Sequence, residues 1–180
     1  LEMIYDLMLE NDGKELLYFP IYNYTEMSYD NVSKMMQHPQ SIMGLSDGGA
    51  HVGTVCDSSF PTYLLSYWTR DRVRGERIDL ADAVRRLTSD IADYCGMTDR
   101  GRIKVGLKAN LNVIDHQGLR LYPPHMVQDL PAGGQRLLQE AEGYDAVIVA
   151  GEVVLENDQL TGRYPGRLVR MGQLEQRAAA

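Results

Sequence analysis

The alternation of helical and extended segments in the first half of the sequence restricts the chain to few folds. One amphipathic helix is predicted to end at Gly13, and a second, capped by Asp30, is predicted to end before Pro39. A short apolar segment typical of a strand follows each helix, at residues 16–19 and 41–46. Helices and strands in this order favour parallel βα units over an antiparallel meander.

Two further helices are predicted before residue 98. Pro61 occupies a position suited to the first turn of a helix, and it predicts an aromatic-rich helix that packs outside the sheet. A longer helix is predicted to begin after Asp79, which is suited to cap it, and to end at Gly96. Its apolar residues recur at helical spacing and predict one buried stripe, made of Leu80, Val84, Leu87, Ile91 and Cys95.

From residue 99 onwards, turn residues and short apolar segments replace the helical periodicity. Strands are predicted at residues 103–106, 111–115, 146–150 and 153–155. The last two strands would form a hairpin around Gly151, and the chain is predicted to reverse again at Asn157. Residues 135–142 could form two helical turns. We therefore place a domain boundary near residue 98, between an α/β part and a mostly β part.

Composition and charge exclude several classes of protein. Of the 180 residues, 44% are hydrophobic and 24% are charged, which is typical of a globular domain and not of a disordered chain or a fibre. The net charge of -7 comes from residues 1–60, and the arginine cluster at 70–77 is interleaved with acids. Nucleic-acid binding is therefore not expected, and the cluster is interpreted as a solvated helix end, with phosphate binding as the alternative. No apolar segment approaches the roughly 20 residues that a membrane-spanning helix needs.

The cysteines and histidines are scattered along the chain. Cys56 and Cys95 form no CxxC pattern, which favours a reduced, cytoplasmic protein. Cys95 is interpreted as a small apolar core residue. Because no His-x-His pair occurs, His38, His116 and His125 are interpreted as surface or interface residues and not as metal ligands.

The densest group of chemically informative residues is the run 44–53, which contains Asp47-Gly48-Gly49 and His51. One interpretation is a tight turn in which the glycines supply positive φ. The other is functional, because α/β barrels place catalytic groups at the carboxyl ends of their parallel strands, and an acid followed by glycines fits such a position. His51 could join that site or be merely solvated.

A family resemblance favours the functional interpretation. The run from Met43 to His51, preceded by Met36-Gln37-His38-Pro39, resembles the last barrel strand of the amidohydrolase superfamily, in particular its N-acyl-D-amino-acid deacylase (D-aminoacylase) branch. Residues 83–115 are similar to the passage from the final barrel helix into the β-sandwich of these enzymes, and residues 147–167 are similar to their carboxyl-terminal strands.

The resemblance implies an α/β fold. Residues 1–98 would form the last βα units of a TIM-type metal-dependent hydrolase barrel, and residues 99–180 would form part of a β-sandwich domain. It further implies a zinc-dependent hydrolysis of linear amides such as N-acyl-D-amino acids, with Asp47 as the general acid/base. Gly48, Gly49 and His51 would lie against the substrate, although His51 could equally serve only to order the loop.

Two departures from the family pattern bear on these expectations. Asn110 stands where the family commonly has aspartate, which we interpret as a neutral structural change. Residues 52–63 contain no arginine or lysine, whereas D-aminoacylases tend to carry a basic residue shortly after the strand-end aspartate. A substrate carboxylate would therefore lack a charge-assisted partner there, which weakens the D-amino-acid assignment.

The expected partners follow from the same resemblance. The family's metal ligands are expected mainly on barrel strands that precede these residues, so the chain is interpreted as a carboxyl-terminal fragment that has no amidase activity alone. Its partners would be a small-molecule amide and the amino-terminal part of the same enzyme, with neither nucleic acid nor membrane, and homo-oligomer formation is left open. The alternative is a non-catalytic association module in which Asp47 is a turn residue.

Overall fold

The computed structural model describes residues 1–20, 22–44, 46, 48–49, 51–54 and 57–169. By its internal contacts the chain divides into two compact units, Leu1–Ser41 and Ile42–Ala180. The boundary predicted near residue 98 stays a prediction. Among the described residues, no helix has the length and apolar character needed to cross a bilayer.

The first unit contains two helices, α1 (Glu2–Gly13) and α2 (Asp30–Gln37). Helix α1 is interrupted near its end, where Asn11 and Asp12 adopt positive φ. Helix α2 ends before His38-Pro39, as predicted, but its N-cap is Tyr29, one residue earlier than the predicted cap. The strand predicted at residues 16–19 is absent, since these residues have no regular structure. An isolated strand without a pairing partner is not stable in water.

The second unit begins with the segment 42–59 and then four helical elements. Helix α3 (Phe60–Tyr63), with Pro61 in its first turn as predicted, continues directly into a π-helix (Leu64–Asp71). Helices α4 (Leu80–Leu87) and α5 (Ser89–Tyr94) follow. The strand predicted at 41–46 is not formed in its described residues 41–44 and 46, and Leu45 lies outside the described residues.

The helix predicted from Asp79 to Gly96 is correct at both ends and wrong in the middle. The Asp79 carboxylate accepts a hydrogen bond from the Asp82 amide at 3.1 Å, and Gly96 has φ 65°. The helix breaks at Thr88, whose hydroxyl donates to the Val84 carbonyl oxygen at 2.7 Å. Such side-chain bonds compete with the backbone ladder of a helix.

The buried stripe predicted for this helix is confirmed only in part, because Leu87, Ile91 and Cys95 are half-buried and none of the five residues is fully buried. Leu80 and Val84 are 39% and 43% exposed, whereas Ala83 is fully buried and Ala92 is 4% exposed. At Ala92 a small side chain fits because the segment at Gly101 approaches closely: a Cβ at Gly101 would lie 2.5 Å from the Ala92 Cβ.

All described strands follow residue 110, and every described pair is antiparallel. The strands are β1 (Leu111–Ile114), β2 (Arg120–Leu121), β3 (His125–Leu130), β4 (Gly134–Leu138), β5 (Ala141–Glu142), β6 (Tyr144–Val149), β7 (Glu152–Glu156) and β8 (Gln159–Leu160). They form a four-stranded sheet of order β1-β6-β7-β8 and two pairs, β2-β5 and β3-β4. The fold is therefore a mixture of helix and sheet, and the expectation of parallel βα pairing is not met in the described residues.

Strand predictions for this region are partly confirmed. Strand β1 and the β6–β7 hairpin, which turns at Ala150-Gly151, form where expected, and Asn157-Asp158 reverses the chain into β8. The strand predicted at 103–106 is irregular, and the helical turns predicted at 135–142 are wrong because this segment forms strands β4 and β5.

The π-helix is joined to the sheet region by a clasp centred on Arg70. Its guanidinium donates to the carbonyl oxygens of His116, of Gln117 at 3.1 Å and of Leu119 at 2.7 Å, and Leu119 is fully buried. It also pairs with Asp71 through two contacts of 2.6 and 2.8 Å. The clasp fixes the loop between β1 and β2 against the helix.

The arginine cluster at 70–77 is predicted to be a solvated helix end, and the structure confirms this only in part: residue 71 and residues 73–77 are exposed, whereas Arg70 and Arg72 make specific contacts. Besides the Arg70 clasp, Arg72 is 3% exposed, and its guanidinium carbon lies 4.4 Å from the centre of the Trp68 ring. A guanidinium over an indole face is a favourable cation–π arrangement.

Candidate functional site

The loop that carries the predicted general acid/base is described only in part. Asp47 itself lies outside the described residues, as do Ala50 and Cys56. Gly48, Gly49 and residues 51–54 are described, and all of them except Val52 are exposed. The predicted roles of Asp47, Gly48, Gly49 and His51 stay predictions.

Both glycines have a local structural reason to be glycine. A Cβ at Gly48 would lie 2.7 Å from the Ser58 Cβ and 3.0 Å from the Ser58 Cα, so only glycine permits this approach. Gly49 has φ +95°, which side chains rarely tolerate. The loop therefore folds back onto the residues that precede helix α3.

His51 takes part in the loop through its backbone. It has φ 46°, and its carbonyl oxygen accepts hydrogen bonds from the Thr54 amide at 2.7 Å and from the Thr54 hydroxyl at 3.1 Å. The exposed imidazole makes no hydrogen bond to another described residue. Its backbone thus orders the turn, while its ring is available to a ligand.

Strand β4 holds the loop from a distant part of the sequence. The Leu137 amide donates to the Val52 carbonyl oxygen at 2.7 Å. Nearby, the Ser59 hydroxyl donates to the Gln139 side-chain oxygen, and the Gln139 amide group donates to the Tyr122 carbonyl oxygen at 3.0 Å. No sequence pattern predicts these contacts, because the segment that holds Leu137 and Gln139 has a helical pattern.

The other histidines predicted to be surface or interface residues are partnered or exposed. His38 Nδ1 accepts from the Gln40 amide at 3.2 Å. His116 Nε2 lies 2.8 Å from the Thr69 hydroxyl and 3.0 Å from the Leu65 carbonyl oxygen, and so supports the Arg70 clasp. His125 lies in strand β3 and is exposed.

The described residues do not by themselves make a metal site. No group of three or more histidine, cysteine, aspartate or glutamate side chains is placed to hold a metal ion within the described part of the chain. Cys95 is a free, half-buried thiol. A complete set of three such ligands is therefore not present among the described residues.

Among the residues that the structure describes, the carboxylates with a perturbed pKa lie outside the run 44–53. Hydrogen bonds from Arg70 lower the pKa of Asp71, and those from Arg100 lower the pKa of Asp99. Arginine likewise holds the pKa below its ordinary value at Asp82, Asp93 and Asp129. Each of these groups belongs to an ion pair with arginine, and their shifts indicate structural roles.

Comparison with known proteins identifies the family. Residues 19–155, which include the whole run 44–53, match the amidohydrolase family, so the chain belongs to that family. This finding confirms the resemblance at the level of the superfamily.

Curated relatives are distant and much longer. An uncharacterized protein of Mycobacterium tuberculosis and one of Mycobacterium bovis are each 28% identical over 169 residues, covering 81% of this chain and 26% of the relative. A 5-methylthioadenosine/S-adenosylhomocysteine deaminase of Carboxydothermus hydrogenoformans is 28% identical over 131 residues, covering 72% of this chain and 29% of the relative. The chain therefore spans about a quarter of the length of these relatives. No solved structure matches.

Proposed function

We propose that this chain is the Asp47-bearing part of a metal-dependent amidohydrolase that hydrolyses linear amides such as N-acyl-D-amino acids. The observation that carries the proposal is the family match over residues 19–155. In this proposal Asp47 is the general acid/base, and Gly48, Gly49 and His51 lie beside the substrate. In the proposed architecture, residues 1–98 form the last βα units of a TIM-type barrel and residues 99–180 form part of a β-sandwich.

The proposed chemistry suits an aspartate beside glycines. Hydrolysis of an amide adds water to the carbonyl carbon and breaks the C–N bond, giving a carboxylic acid and an amine. A carboxylate can accept the proton that the water loses and return it to the departing nitrogen. Gly48 and Gly49 leave the approach to such a carboxylate free of side chains.

The described contacts of the loop support a fixed catalytic position. Gly48 packs against Ser58 on one side of the loop, and the Val52 carbonyl oxygen accepts from Leu137 on the other. A general acid/base is effective only within hydrogen-bond reach of the proton it transfers, so a tethered loop favours this role.

The cofactor and the rest of the enzyme belong to the same proposal. Members of the family are generally metal-dependent, and we propose zinc, held by ligands outside the described residues. The partner required is therefore the amino-terminal part of the same enzyme, and the isolated chain is expected to be inactive. The free thiol of Cys95 accords with the proposed cytoplasmic location.

A second candidate reaction is deamination of a purine nucleoside derivative. It is favoured by the relative whose name is 5-methylthioadenosine/S-adenosylhomocysteine deaminase. Such a reaction also breaks a C–N bond with water, but it releases ammonia from a ring carbon. The absence of arginine and lysine from residues 52–63 agrees with a substrate that needs no carboxylate partner at that loop.

The experiment expresses the chain together with the residues encoded upstream of it. Three purified proteins are compared: the extended enzyme, its Asp47→Asn variant and its Asp145→Asn variant. Asp145 is an exposed aspartate outside the loop and serves as the matched control. We expect Asp47→Asn to lower kcat by at least about 100-fold, the usual contribution of a general acid/base, and Asp145→Asn to leave it unchanged.

A comparison of two substrate classes distinguishes amide hydrolysis from deamination. N-acetyl-D-amino acids and 5-methylthioadenosine are supplied in parallel, and release of acetate or ammonia is measured. Full activity of Asp47→Asn would overturn the role of Asp47. No hydrolysis of either substrate class by the extended protein would favour the association module, and turnover by the 180-residue chain alone would refute the requirement for upstream sequence.

A further inference from the structure

A polar cleft lies in the second unit, and the described residues of the run 44–53 do not line it. Its volume is about 410 Å³, and three segments line it: Lys108, the tip of the β6–β7 hairpin, and residues 164–167. Pockets that hold small ligands typically measure about 300–1,000 Å³, so this cleft is large enough for one.

Backbone hydrogen bonds fix one side of the cleft. The Lys108 amide donates to the Asp99 carbonyl oxygen at 2.8 Å, and the Gly151 amide donates to the Ala109 carbonyl oxygen at 2.9 Å. The Asn110 side-chain oxygen accepts from the Ala150 amide at 2.9 Å. This last bond gives Asn110, one of the departures from the family pattern, a defined role at the hairpin tip. Lys108 and the hairpin are thus held together before any ligand arrives.

The opposite side is tied back to strand β7. The Thr161 hydroxyl donates to the Val153 carbonyl oxygen at 2.8 Å, and the Thr161 amide donates to the Val154 carbonyl oxygen at 3.0 Å. These bonds set the path of the segment that continues to Arg167. A Cβ at Gly166 would meet no atom within 4 Å, so the backbone there is open to a ligand.

The charges of the cleft are unusual for this acidic chain. Arg163 lies 3.7 Å from the Glu152 carboxylate and offsets the one acid of the lining. Lys108, which is half-buried, and Arg167 remain without an ion pair or side-chain hydrogen bond to any described residue. Other described arginines have such partners, namely Arg70, Arg77, Arg85, Arg86, Arg100, Arg102, Arg120, Arg136 and Arg163.

We propose that this cleft binds the carboxylate or phosphate group of a small ligand, with Arg167 and Lys108 as its cationic contacts. A guanidinium presents two parallel N–H donors that match the oxygens of either group, and the lysine adds a point charge. Two cations that line one cleft and have no ion pair with a described residue attract an anion more strongly than either cation does alone. The site is separate from the proposed amidohydrolase chemistry.

The test titrates anions into the ¹⁵N-labelled 180-residue chain and measures the change in its amide chemical shifts by NMR. Inorganic phosphate and acetate are added in separate experiments, with sodium chloride adjusted to hold the ionic strength constant. We expect saturable shifts at Gly151 and Gly166. Tighter binding of phosphate or of acetate identifies which group the cleft prefers.

Two variants and a control decide whether anion binding occurs in this cleft. Arg167→Gln and Lys108→Gln should each weaken binding about tenfold, the effect of losing one charge-assisted contact. Lys104→Gln removes an exposed lysine that does not line the cleft and should leave the affinity unchanged. The proposal is overturned if neither anion gives saturable shifts, or if Lys104→Gln weakens binding as much as the cleft variants do.

Discussion

The amide of Leu137 donates a hydrogen bond to the carbonyl oxygen of Val52 at 2.7 Å, across 85 positions of sequence. Leu137 pairs with Met126 in the β3–β4 hairpin, so the hairpin presents its outer edge to the loop that follows Asp47. The loop therefore depends on a β region far along the chain, and the two parts of the second unit should respond together to mutation.

Removal of this one donor should loosen the loop. Leu137→Pro deletes the amide hydrogen at an outer strand edge, where proline is tolerated, and should lower the free energy of unfolding by about 1 kcal/mol relative to Leu137→Ala. Both variants truncate or replace the leucine, but only alanine keeps the donor. Amide hydrogen exchange at Thr54 should be faster in the proline variant, and equal exchange in the two variants would contradict the tether.

Adding a methyl group at Gly48 should destabilise the fold. Because its Cβ would lie 2.7 Å from the Ser58 Cβ, Gly48→Ala should lower the free energy of unfolding by about 1–3 kcal/mol, measured by urea unfolding. Gly53→Ala is the matched control, since a Cβ there would meet no atom within 4 Å. Adding Ser58→Gly to Gly48→Ala should recover part of the loss, and no recovery would argue against this contact as the cause.

Local signals in the sequence predict some elements well. The Asp79 cap, the Gly96 stop and the Ala150-Gly151 turn depend on residues within a few positions of one another, and all three are confirmed. Their geometry is set by side-chain capping and by backbone φ, which short sequence patterns report directly.

Features set by distant contacts could not be predicted in this way. Residues 135–142 have helix-forming side chains, yet pairing with β3 makes Gly134–Leu138 a strand. The buried residues of helices α4 and α5 are Ala83 and Ala92, and at Ala92 the close approach of Gly101 favours a small side chain over a larger apolar one. For the candidate site, the residues of the run 44–53 left a turn and a catalytic role open for Asp47, and the family resemblance favoured the catalytic role. The contacts of Val52 became evident only in the fold.

The Arg70 clasp should depend on the shape of the guanidinium and not on its charge alone. Arg70→Lys keeps the positive charge but cannot reach three carbonyl oxygens in the same fork, so we expect a loss of about 2 kcal/mol in the free energy of unfolding. Arg136→Lys, in an exposed pair with Asp129, should lower the free energy of unfolding much less than Arg70→Lys does. Equal costs for the two variants would show that the carbonyl contacts contribute little.

The ion pair between Asp71 and Arg70 should affect how the free energy of unfolding changes at acid pH. Hydrogen bonds from Arg70 hold the pKa of Asp71 below its ordinary value of 3.8 in the folded state. A carboxylate with a lowered folded pKa contributes stability above the unfolded pKa, and this contribution is lost as the pH falls through the folded pKa. Asp71→Asn should therefore reduce the loss of unfolding free energy that occurs below about pH 3.8. The measurement is urea unfolding at a series of pH values.

The size and cause of that acid effect can be separated by a mutant cycle. Because the Asp71 side chain is half exposed, the effect should be small and should shrink further as salt is added. In an Arg70→Gln background the largest cause of the shift is removed, while Arg77 and His116 still act on Asp71, so Asp71→Asn should change the stability at acid pH much less. An undiminished effect of Asp71→Asn in that background would assign the acid sensitivity to another partner of Asp71.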